Sequence, residues 1–213
     1  MSERFSEDLG RNVYLRPDTS DDEVFHATFN GRYHLPPLEM PIPGKVLDLG
    51  SNIGLTVAHY AVLWPKAKIV GVEIAPDLVA HAAMNTDVPI LPVAVGTHNG
   101  SAHFQHTGAW GTTHYLSPVG NSECIVWTIP RIAQVCFDGQ EIDFCKMDVE
   151  SAEWDLFANP EWVPYIKHLL VELHGGKDYE MKERGLCELS AIGFDAVVHE
   201  IHPHALWAVR RDI

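Results

Sequence analysis

The chain has 213 residues, with 29 acidic against 15 basic side chains and a formal net charge of −14. Because domains usually hold roughly 100–200 residues, this length predicts one domain whose core needs no disulfide or metal to fold. The negative charge repels a phosphate backbone, so we expect no nucleic acid partner.

Residues 1–44 precede the first core strand and are predicted to form a strand and a helix. The strand candidate spans residues 12–15. Ser20 and Glu23 have the spacing of a capping box, at the start of a helix that ends at Asn30–Gly31. The segment then either closes over a ligand pocket as a lid or packs across the sheet edge. We expect the lid, because chain that precedes the first strand often lies over the ligand end of such sheets.

The pattern of residues 46–54 organises the rest of the chain. An apolar strand runs into the turn Asp48-Leu-Gly50-Ser-Asn52-Ile-Gly54, where glycines let a ligand approach the backbone without a Cβ in the way. A dinucleotide-binding fold has G-x-G-x-x-G at this place, whereas this chain has D-x-G-x-x-x-G. Asp48 is a hydrogen-bond acceptor and suits a ligand that carries an ammonium group. The turn therefore predicts S-adenosylmethionine rather than NAD as the cofactor, bound by Asp48, Gly50, Asn52 and Gly54.

A second apolar strand, at residues 67–72, ends on Glu73. This carboxylate lies roughly 20 residues beyond the glycine turn, which is the place of the ribose-binding acid in nucleotide-binding α/β folds. We predict that Glu73 accepts hydrogen bonds from ribose hydroxyls; the alternative is a turn and cap with no ligand. A third apolar strand, at residues 88–95, contains two prolines, which indicate strand ends or an exposed edge. Ala94, near its end, is also predicted to contact the cofactor.

Residues 107–121 are rich in Gly, Thr, Ser and Pro and are predicted to form a loop that contacts the substrate. Loops longer than about 12 residues in compact domains are usually functional or disordered, and the aromatic side chains favour function. Those aromatic side chains are Trp110, His114 and Tyr115. Strands at residues 101–105 and 124–127 flank the loop, and a helix follows at residues 129–135.

A fourth core strand, at residues 142–147, is followed by Asp148 and Glu150. Ser151 is predicted to cap the next helix. A fifth strand, at residues 166–173, ends at His174. A helix at residues 178–192 and two strands at residues 194–200 and 205–211 complete the chain.

Alternating strands and helices with a terminal hairpin predict an α/β fold with a doubly wound, Rossmann-like, mostly parallel sheet. In such sheets ligands bind beyond the carboxyl ends of the strands. The candidate site therefore consists of strand-end residues: Asp48, Glu73, Ala94, Asp148, Glu150, Glu172 and His174. We predict a domain at residues 45–213, with residues 1–44 as an N-terminal lid segment.

The order of these motifs resembles the FkbM family of S-adenosylmethionine-dependent methyltransferases. That family carries a D-x-G-x-N-x-G turn, an acidic end to strand two, and K-x-D-x-E-G-x-E after strand four. This chain matches with Asp48 to Gly54, with Glu73, and with Lys146-Met-Asp148-Val-Glu150-Ser151-Ala-Glu153. Ser151 departs from the family's usual glycine, which makes the loop after Glu150 less free to bend.

The resemblance implies a class I methyltransferase sheet with an antiparallel last strand. It also implies methyl transfer to a hydroxyl group of a small molecule of the sugar or natural-product type. N-methylation of a small molecule, or a non-catalytic partner protein with the same fold, is the alternative. A base-methylating DNA enzyme of this fold would carry an N-P-P-Y-like tetrad after strand four, where this chain has Asp148-Val-Glu150-Ser151.

Methyl transfer to an alcohol needs a base or a metal near the strand ends. His174 is predicted to be the base. Its pKa is expected near roughly 6.5 if its surroundings are neutral, and Glu172 lies on the same face if the strand stays regular that far. The alternative is that His174 donates a hydrogen bond to a loop carbonyl. Asp148 is predicted to contact the cofactor ammonium or the acceptor. Glu150 is predicted to add acceptor oxygens, unless it caps a helix.

No metal is expected at this site. A divalent ion held by Asp148, Glu150 and His174 is the alternative, and these ligands would suit magnesium or manganese. The C-terminal histidines lack the ligand spacing of a closed zinc site and indicate a polar hairpin: His199, His202 and His204.

The cysteines and the charged N-terminal residues predict a cytoplasmic protein. The four cysteines form no C-x-x-C pair, which is typical of reduced thiols. Residues 1–20 carry charged side chains where a signal peptide would have an apolar core, and no apolar run reaches the roughly 18 residues of a membrane span. We therefore expect no membrane partner.

Overall fold

The computed structural model describes residues 2–107, 113–117 and 119–211. The strands are β1 (Ser2–Ser6), β2 (Arg11–Leu15), β3 (Lys45–Leu49), β4 (Lys68–Glu73), β5 (Ile90–Pro92), β6 (Ala94–Val95), β7 (Gly100–Thr107), β8 (Thr113–Leu116), β9 (Ser122–Trp127), β10 (Ile142–Met147), β11 (Ile166–Glu172), β12 (Phe194–Val198) and β13 (Ala205–Arg210). The α-helices are α1 (Asp21–His26), α2 (Leu55–Leu63), α3 (Pro76–Ala82), α4 (Ile129–Cys136), α5 (Glu153–Ala158) and α6 (Asp178–Ala191). A π-helical turn, Ala27–Gly31, continues α1, and a 3-10 helix spans Pro160–Tyr165.

The main sheet has seven strands in the order β12-β13-β11-β10-β3-β4-β5. Its strands β11, β10, β3, β4 and β5 run parallel. The last strand, β13, pairs antiparallel with both β11 and β12. This arrangement confirms the predicted Rossmann-like α/β fold with an antiparallel last strand.

Both faces of the main sheet are buried, which explains the apolar runs of its central strands. Val46 and Phe144 belong to a core cluster with Tyr60 of α2. The next residues along each strand, Leu47 and Cys145, point to the opposite face and belong to a second cluster. No helix in the described part of the chain is long and apolar enough to cross a membrane.

The N-terminal segment packs beyond the ligand end of the sheet. Its strands β1 and β2 form an antiparallel hairpin. Buried side chains of β2 and α1, such as Leu15 and Phe25, pack with Ile53 and Leu55 from the glycine turn and the start of α2. The predicted strand and helix are therefore present, but the capping box is wrong. Ser20 makes no side-chain capping bond, and only its carbonyl accepts from Val24 N at 2.9 Å.

The predicted third strand is split between two sheets. Residues 90–92 form β5 at the edge of the main sheet, as the prolines indicate, whereas residues 94–95 form β6 in a four-stranded sheet ordered β6-β9-β7-β8. The predicted loop at residues 107–121 contains β8, which pairs antiparallel with β7. Its residues 108–112 and 118, and with them Trp110, lie outside the described residues.

Candidate active site

A cavity of about 430 Å³ lies at the carboxyl ends of the main-sheet strands. Its wall comes from the segments that follow β3, β4, β10 and β11, from β6, and from the N-terminal segment. The predicted site residues that line it are Gly50, Asn52, Glu73, Ala94, Asp148, Glu150, Glu172 and His174. The N-terminal segment contributes Ser20, Val24, Ala27 and Tyr33, so it forms one wall of the cavity.

The glycine turn is fixed by contacts with the ends of two neighbouring strands. The N–H groups of Gly50 and Ser51 each donate to the carbonyl of Val72 at 2.9 Å. Gly50 has φ +83°, and a Cβ built on it would lie 1.8 Å from the carbonyl oxygen of Asp148. This position therefore requires glycine for both its dihedral angle and its space. Asn52 also has a positive φ, of 48°, and its buried Oδ1 has no hydrogen-bond partner among the described residues.

Glu73 is held by the backbone on both sides. Its Oε2 accepts from the N–H of Asn52 at 2.9 Å, and its Oε1 accepts from the N–H of Ala75 at 3.0 Å. Burial, which disfavours the charged form, raises the pKa of Glu73 to about 7, although these N–H groups and others oppose the shift. The carboxylate thus stands at the cavity wall with its orientation set by the fold.

Two predicted cofactor-binding residues lie behind the wall rather than in it. Asp48 is fully buried, accepts from Thr56 Oγ1 at 2.5 Å, and has Lys146 Nζ 3.7 Å from its Oδ1. Gly54 adopts a left-handed conformation at the N-terminus of α2. Thr56 itself lines the cavity, so Asp48 acts on the wall through its hydrogen bond to Thr56.

Lys146 begins the motif that follows strand four of the family, but the motif alone predicts no role for it. Its side chain is 3% exposed, and its ammonium lies 3.0 Å from Asp148 Oδ2 and 5.7 Å from the centre of the Tyr33 ring. Burial opposes its charge, but Asp148, Tyr33 and Asp48 together hold the pKa of Lys146 well above its usual range. A lysine inside a core strand is the sequence signal that could have found this pairing, since buried lysines need a partner.

Four carboxylates surround the imidazole of His174. Nδ1 lies 3.2 Å from Oε1 of Glu153. Nε2 lies 3.7 Å from Asp148 Oδ1, 3.7 Å from Glu150 Oε2 and 3.8 Å from Glu172 Oε1. Glu153 is fully buried and also accepts from the N–H of Val149 at 3.0 Å. The imidazole therefore hydrogen-bonds to a carboxylate and not to a loop carbonyl, which was the alternative prediction.

The protonation of His174 differs from the sequence expectation. Burial lowers its pKa, but the hydrogen bond to Glu153 and the surrounding carboxylates outweigh burial and raise the pKa to about 9. The value expected for neutral surroundings does not apply here, because an imidazole enclosed by carboxylates holds its proton at neutral pH. Burial raises the pKa of Glu150 to about 7.

The loop after β10 differs from the predicted helix cap. Ser151 makes no capping bond, and α5 begins after Ala152. Glu150 and Ser151 have φ of 51° and 81°, in the left-handed region that favours glycine. The loop takes the sharp bend although Ser151 replaces the family's glycine, and the bend carries Glu150 to the imidazole of His174.

The C-terminal histidines connect the last hairpin to the N-terminal segment. His202 Nε2 lies 3.0 Å from Glu172 Oε2, and the His202 ring meets Tyr33 edge-on at 5.3 Å between centres. His199 Nε2 lies 3.0 Å from the carbonyl oxygen of Leu35. The contacts of His202 with Glu172 and Tyr33 form the wall of the cavity beside β11.

The fold is that of class I S-adenosylmethionine-dependent methyltransferases. The profile of the family described as the methyltransferase FkbM domain matches residues 48–202. The chain therefore belongs to this family, which confirms the resemblance drawn from the glycine turn, Glu73 and the segment after β10.

Solved structures share the fold at low sequence identity. The sugar N-methyltransferase KedS8 from Streptoalloteichus sp. has 12% identity and a TM-score of 0.52, over 94% of this chain and 96% of that one. The fibrillarin pre-rRNA processing protein from Methanococcus jannaschii has 15% identity and a TM-score of 0.51, over 94% and 76%. Human N-acetylserotonin methyltransferase in complex with S-adenosylmethionine has 15% identity and a TM-score of 0.51, over 87% and 53%. No curated protein matches the sequence.

Proposed function

We propose that the protein transfers a methyl group from S-adenosylmethionine to a hydroxyl group of a small molecule of the sugar or natural-product type. The observation that carries this proposal is the distribution of groups along the cavity. Glu73 and the glycine turn lie at the ends of β4 and β3, whereas Asp148, Glu150 and His174 follow β10 and β11. Since β4 and β11 are separated by three strand spacings, about 14 Å, a cofactor and an acceptor fit side by side.

The cofactor would bind at the β3–β4 end of the cavity. Each oxygen of Glu73 accepts one backbone N–H and has a further lone pair for a ribose hydroxyl. The apolar side chains of Ile74 and Ala94 line the adjacent wall and suit the adenine ring. The unpartnered Oδ1 of Asn52 would accept from a donor such as the ammonium of the cofactor. NAD does not suit this arrangement, because its pyrophosphate would face acidic groups.

The acceptor would bind at the β10–β11 end. Methyl transfer is an in-line displacement, so positioning the acceptor oxygen behind the methyl carbon is the main catalytic task. The O–CH₃ bond forms as the S–CH₃ bond breaks, and sulfur keeps the bonding electrons. The hydroxyl proton passes to one of the carboxylates that line this end of the cavity, because the imidazole of His174 already holds its proton at neutral pH. Tyr33 and His202 form the facing wall and suit the face of a sugar ring.

N-methylation of a small molecule is the second candidate, and the charge of the cavity favours it. Among the described lining residues there is no Lys or Arg, while Glu73, Asp148, Glu150 and Glu172 are carboxylates. Such a wall attracts an acceptor that bears an ammonium group. The fold neighbour KedS8 is named as a sugar N-methyltransferase. A nucleic acid acceptor is disfavoured, because the net charge of −14 gives few phosphate contacts.

The cofactor assignment is tested by thermal unfolding of the full chain with S-adenosylhomocysteine or NAD. At a hundredfold excess over Kd, a ligand adds about 2.7 kcal/mol to the free energy of unfolding. We expect stabilisation by S-adenosylhomocysteine alone; stabilisation by NAD alone would overturn the assignment.

The acceptor class is tested with matched pairs of sugars that carry a hydroxyl or an amino group at the same carbon, incubated with methyl-labelled S-adenosylmethionine. Label in the hydroxyl sugars supports the first candidate. Label that appears only in the amino sugars overturns it in favour of N-methylation. Glu73→Ala is the variant expected to lose transfer to every acceptor.

A further inference from the structure

We propose that Asp148 Oδ1, Glu150 Oε2 and His174 Nε2 bind one divalent metal ion, and that Glu153 positions the imidazole for it. One ligand atom from each of Asp148, Glu150 and His174 lies within 4.8 Å of the other two. Around an octahedral ion with bonds of about 2.1 Å, adjacent ligand atoms lie roughly 3 Å apart and opposite ones roughly 4.2 Å apart. The separations of 3.7 Å from Nε2 to each carboxylate lie between these two values, so movements of less than about 1 Å would bring the three ligands around one ion.

The orientation of His174 separates this group from a simple acidic cluster. Its Nδ1 bonds to Glu153, which is fully buried, and its Nε2 therefore faces the carboxylates of Asp148 and Glu150. Those distances of 3.7 Å are too long for hydrogen bonds. An imidazole that bonds to a carboxylate through one nitrogen and presents the other to further ligands is the usual arrangement of a metal-binding histidine, and the ion would displace the proton of Nε2.

The two carboxylate oxygens of Asp148 face different partners, which leaves one oxygen for the ion. Its Oδ2 lies 3.0 Å from Lys146 Nζ, whereas its Oδ1 is the oxygen nearer His174. Lys146 is thereby a fixed counter-charge that orients the carboxylate. The orientation of a ligand by a buried neighbour is again typical of a metal site.

Glu150 reaches the group through backbone that is strained. Glu150 and Ser151 are consecutive non-glycine residues with positive φ. Such strain persists where the surrounding structure imposes it, and it concentrates at functional sites. The bend brings Glu150 Oε2 within 3.7 Å of His174 Nε2.

One imidazole and two carboxylates suit Mn²⁺ better than Mg²⁺, because imidazole is a ligand for transition metals and carboxylate is a ligand for hard cations. Three protein ligands leave positions for water and for an acceptor oxygen. A hydroxyl bound to the ion loses its proton more easily. This last role rests on the proposed function, whereas metal binding itself does not.

The proposal is tested by titrating the full chain with MnCl₂ and following free Mn²⁺ by electron paramagnetic resonance. We expect one ion per chain and an imidazole nitrogen coupling in the pulsed spectrum. Asp148→Asn, Glu150→Gln and His174→Ala should each weaken binding at least about tenfold, and His174→Ala should remove the nitrogen coupling. Glu153→Gln should weaken binding by about 10- to 100-fold and retain the coupling.

Asp195→Asn is the matched control, because Asp195 is an exposed carboxylate of β12 that lies outside the cavity. It should bind Mn²⁺ like the parent chain. Mn²⁺ that stays free at about 1 mM, or equal losses in Asp195→Asn and Asp148→Asn, would overturn the metal site. Circular dichroism confirms that each variant is folded.

Thermal unfolding with S-adenosylhomocysteine on the same samples separates this inference from the proposed function. Stabilisation by S-adenosylhomocysteine without Mn²⁺ binding removes the metal and leaves the methyltransferase assignment. Mn²⁺ binding with the nitrogen coupling, but without stabilisation by S-adenosylhomocysteine, removes the methyltransferase assignment and supports the metal site.

Discussion

The ammonium of Lys146 lies 3.0 Å from the carboxylate of Asp148, and this partly buried pair connects the core strand β10 to the candidate active site. Asp48 lies on the other side of the ammonium, at 3.7 Å. Lys146 is thus the shared partner of the fully buried Asp48 and the partly exposed Asp148. The stability of the fold and the orientation of Asp148 depend on the same side chain.

Lys146→Met should therefore destabilise the protein strongly. Removing one partner of a buried ion pair leaves uncompensated charge and typically costs about 3–5 kcal/mol. Urea unfolding of the variant and the parent measures the difference. Lys68→Met is the control, since the Lys68–Asp138 pair is exposed and an exposed pair contributes about 0–1 kcal/mol. Equal effects of the two substitutions would show that Lys146 has no special role.

Local sequence patterns were sufficient to predict the elements that depend on residues close together in the chain. The apolar runs of β3 and β10 and the glycine turn between β3 and α2 were predicted from hydrophobicity, glycine spacing and the acidic strand ends. By contrast, β1 is polar at most positions, and its pairing with β2 is what makes it a strand. No local pattern indicates such a strand.

The candidate site was predicted as a set of residues but not as an arrangement. Asp148, Glu150 and His174 were placed at strand ends, and they line the same cavity. The partner of His174, Glu153, comes from α5, and the distance between them depends on how α5 packs against β11. The pKa of His174 depends on all of these groups, so the sequence supports a value only for neutral surroundings.

Ser151→Gly should stabilise the protein. Ser151 is exposed, has φ +81°, and makes no side-chain hydrogen bond among those described. A left-handed conformation costs a non-glycine residue about 1–2 kcal/mol, and the extra freedom of glycine in the unfolded chain offsets part of the gain. We expect a net gain of about 0.5–1 kcal/mol in urea unfolding.

Ser190→Gly is the control for Ser151→Gly, because Ser190 lies in the last turn of α6. Glycine in a helix costs about 0.5–1 kcal/mol relative to alanine, so this variant should lose stability. If both serine variants lose stability, the bend after Glu150 is not strained in solution.

Glu73 should make cofactor affinity depend on pH. Ribose hydroxyls donate to the carboxylate, so the ligand binds the deprotonated form. Because burial raises the pKa of Glu73 to about 7, with Asp148 adding to the shift, affinity for S-adenosylhomocysteine should rise as pH increases up to that value. The slope below the pKa is at most about tenfold per pH unit, and affinity should level off above it.

The stability of the unliganded protein should change with pH in the opposite direction to the affinity. The contribution of Glu73 to stability is full below its unfolded pKa and is lost as pH rises through about 7, since its folded pKa is raised.

Calorimetry from pH 5.5 to 8.5 measures the affinity for S-adenosylhomocysteine. Glu73→Gln should remove this pH dependence, and Glu73→Ala should weaken binding by about 10- to 100-fold. A parent chain with constant affinity across the range contradicts the assignment of Glu73.

Gly50→Ala should destroy the cofactor end of the cavity. Gly50 has φ +83°, and a Cβ at this position would lie 1.8 Å from the carbonyl oxygen of Asp148. That contact is with backbone, so β3 and β10 must separate where the turn and Asp148 meet. Gly10→Ala is the control, because Gly10 also has a positive φ, of 65°, but its Cβ would meet no atom within 4 Å.

The comparison of the two alanine variants separates dihedral strain from collision. Gly10→Ala should cost about 1–2 kcal/mol, which is the strain alone, and should bind S-adenosylhomocysteine normally. Gly50→Ala should cost about 3 kcal/mol or more and lose binding even where circular dichroism shows a folded chain. Equal stability and equal binding of the two variants would mean that the turn does not rest against Asp148. In that event the cofactor and acceptor ends of the cavity would not be coupled through this contact.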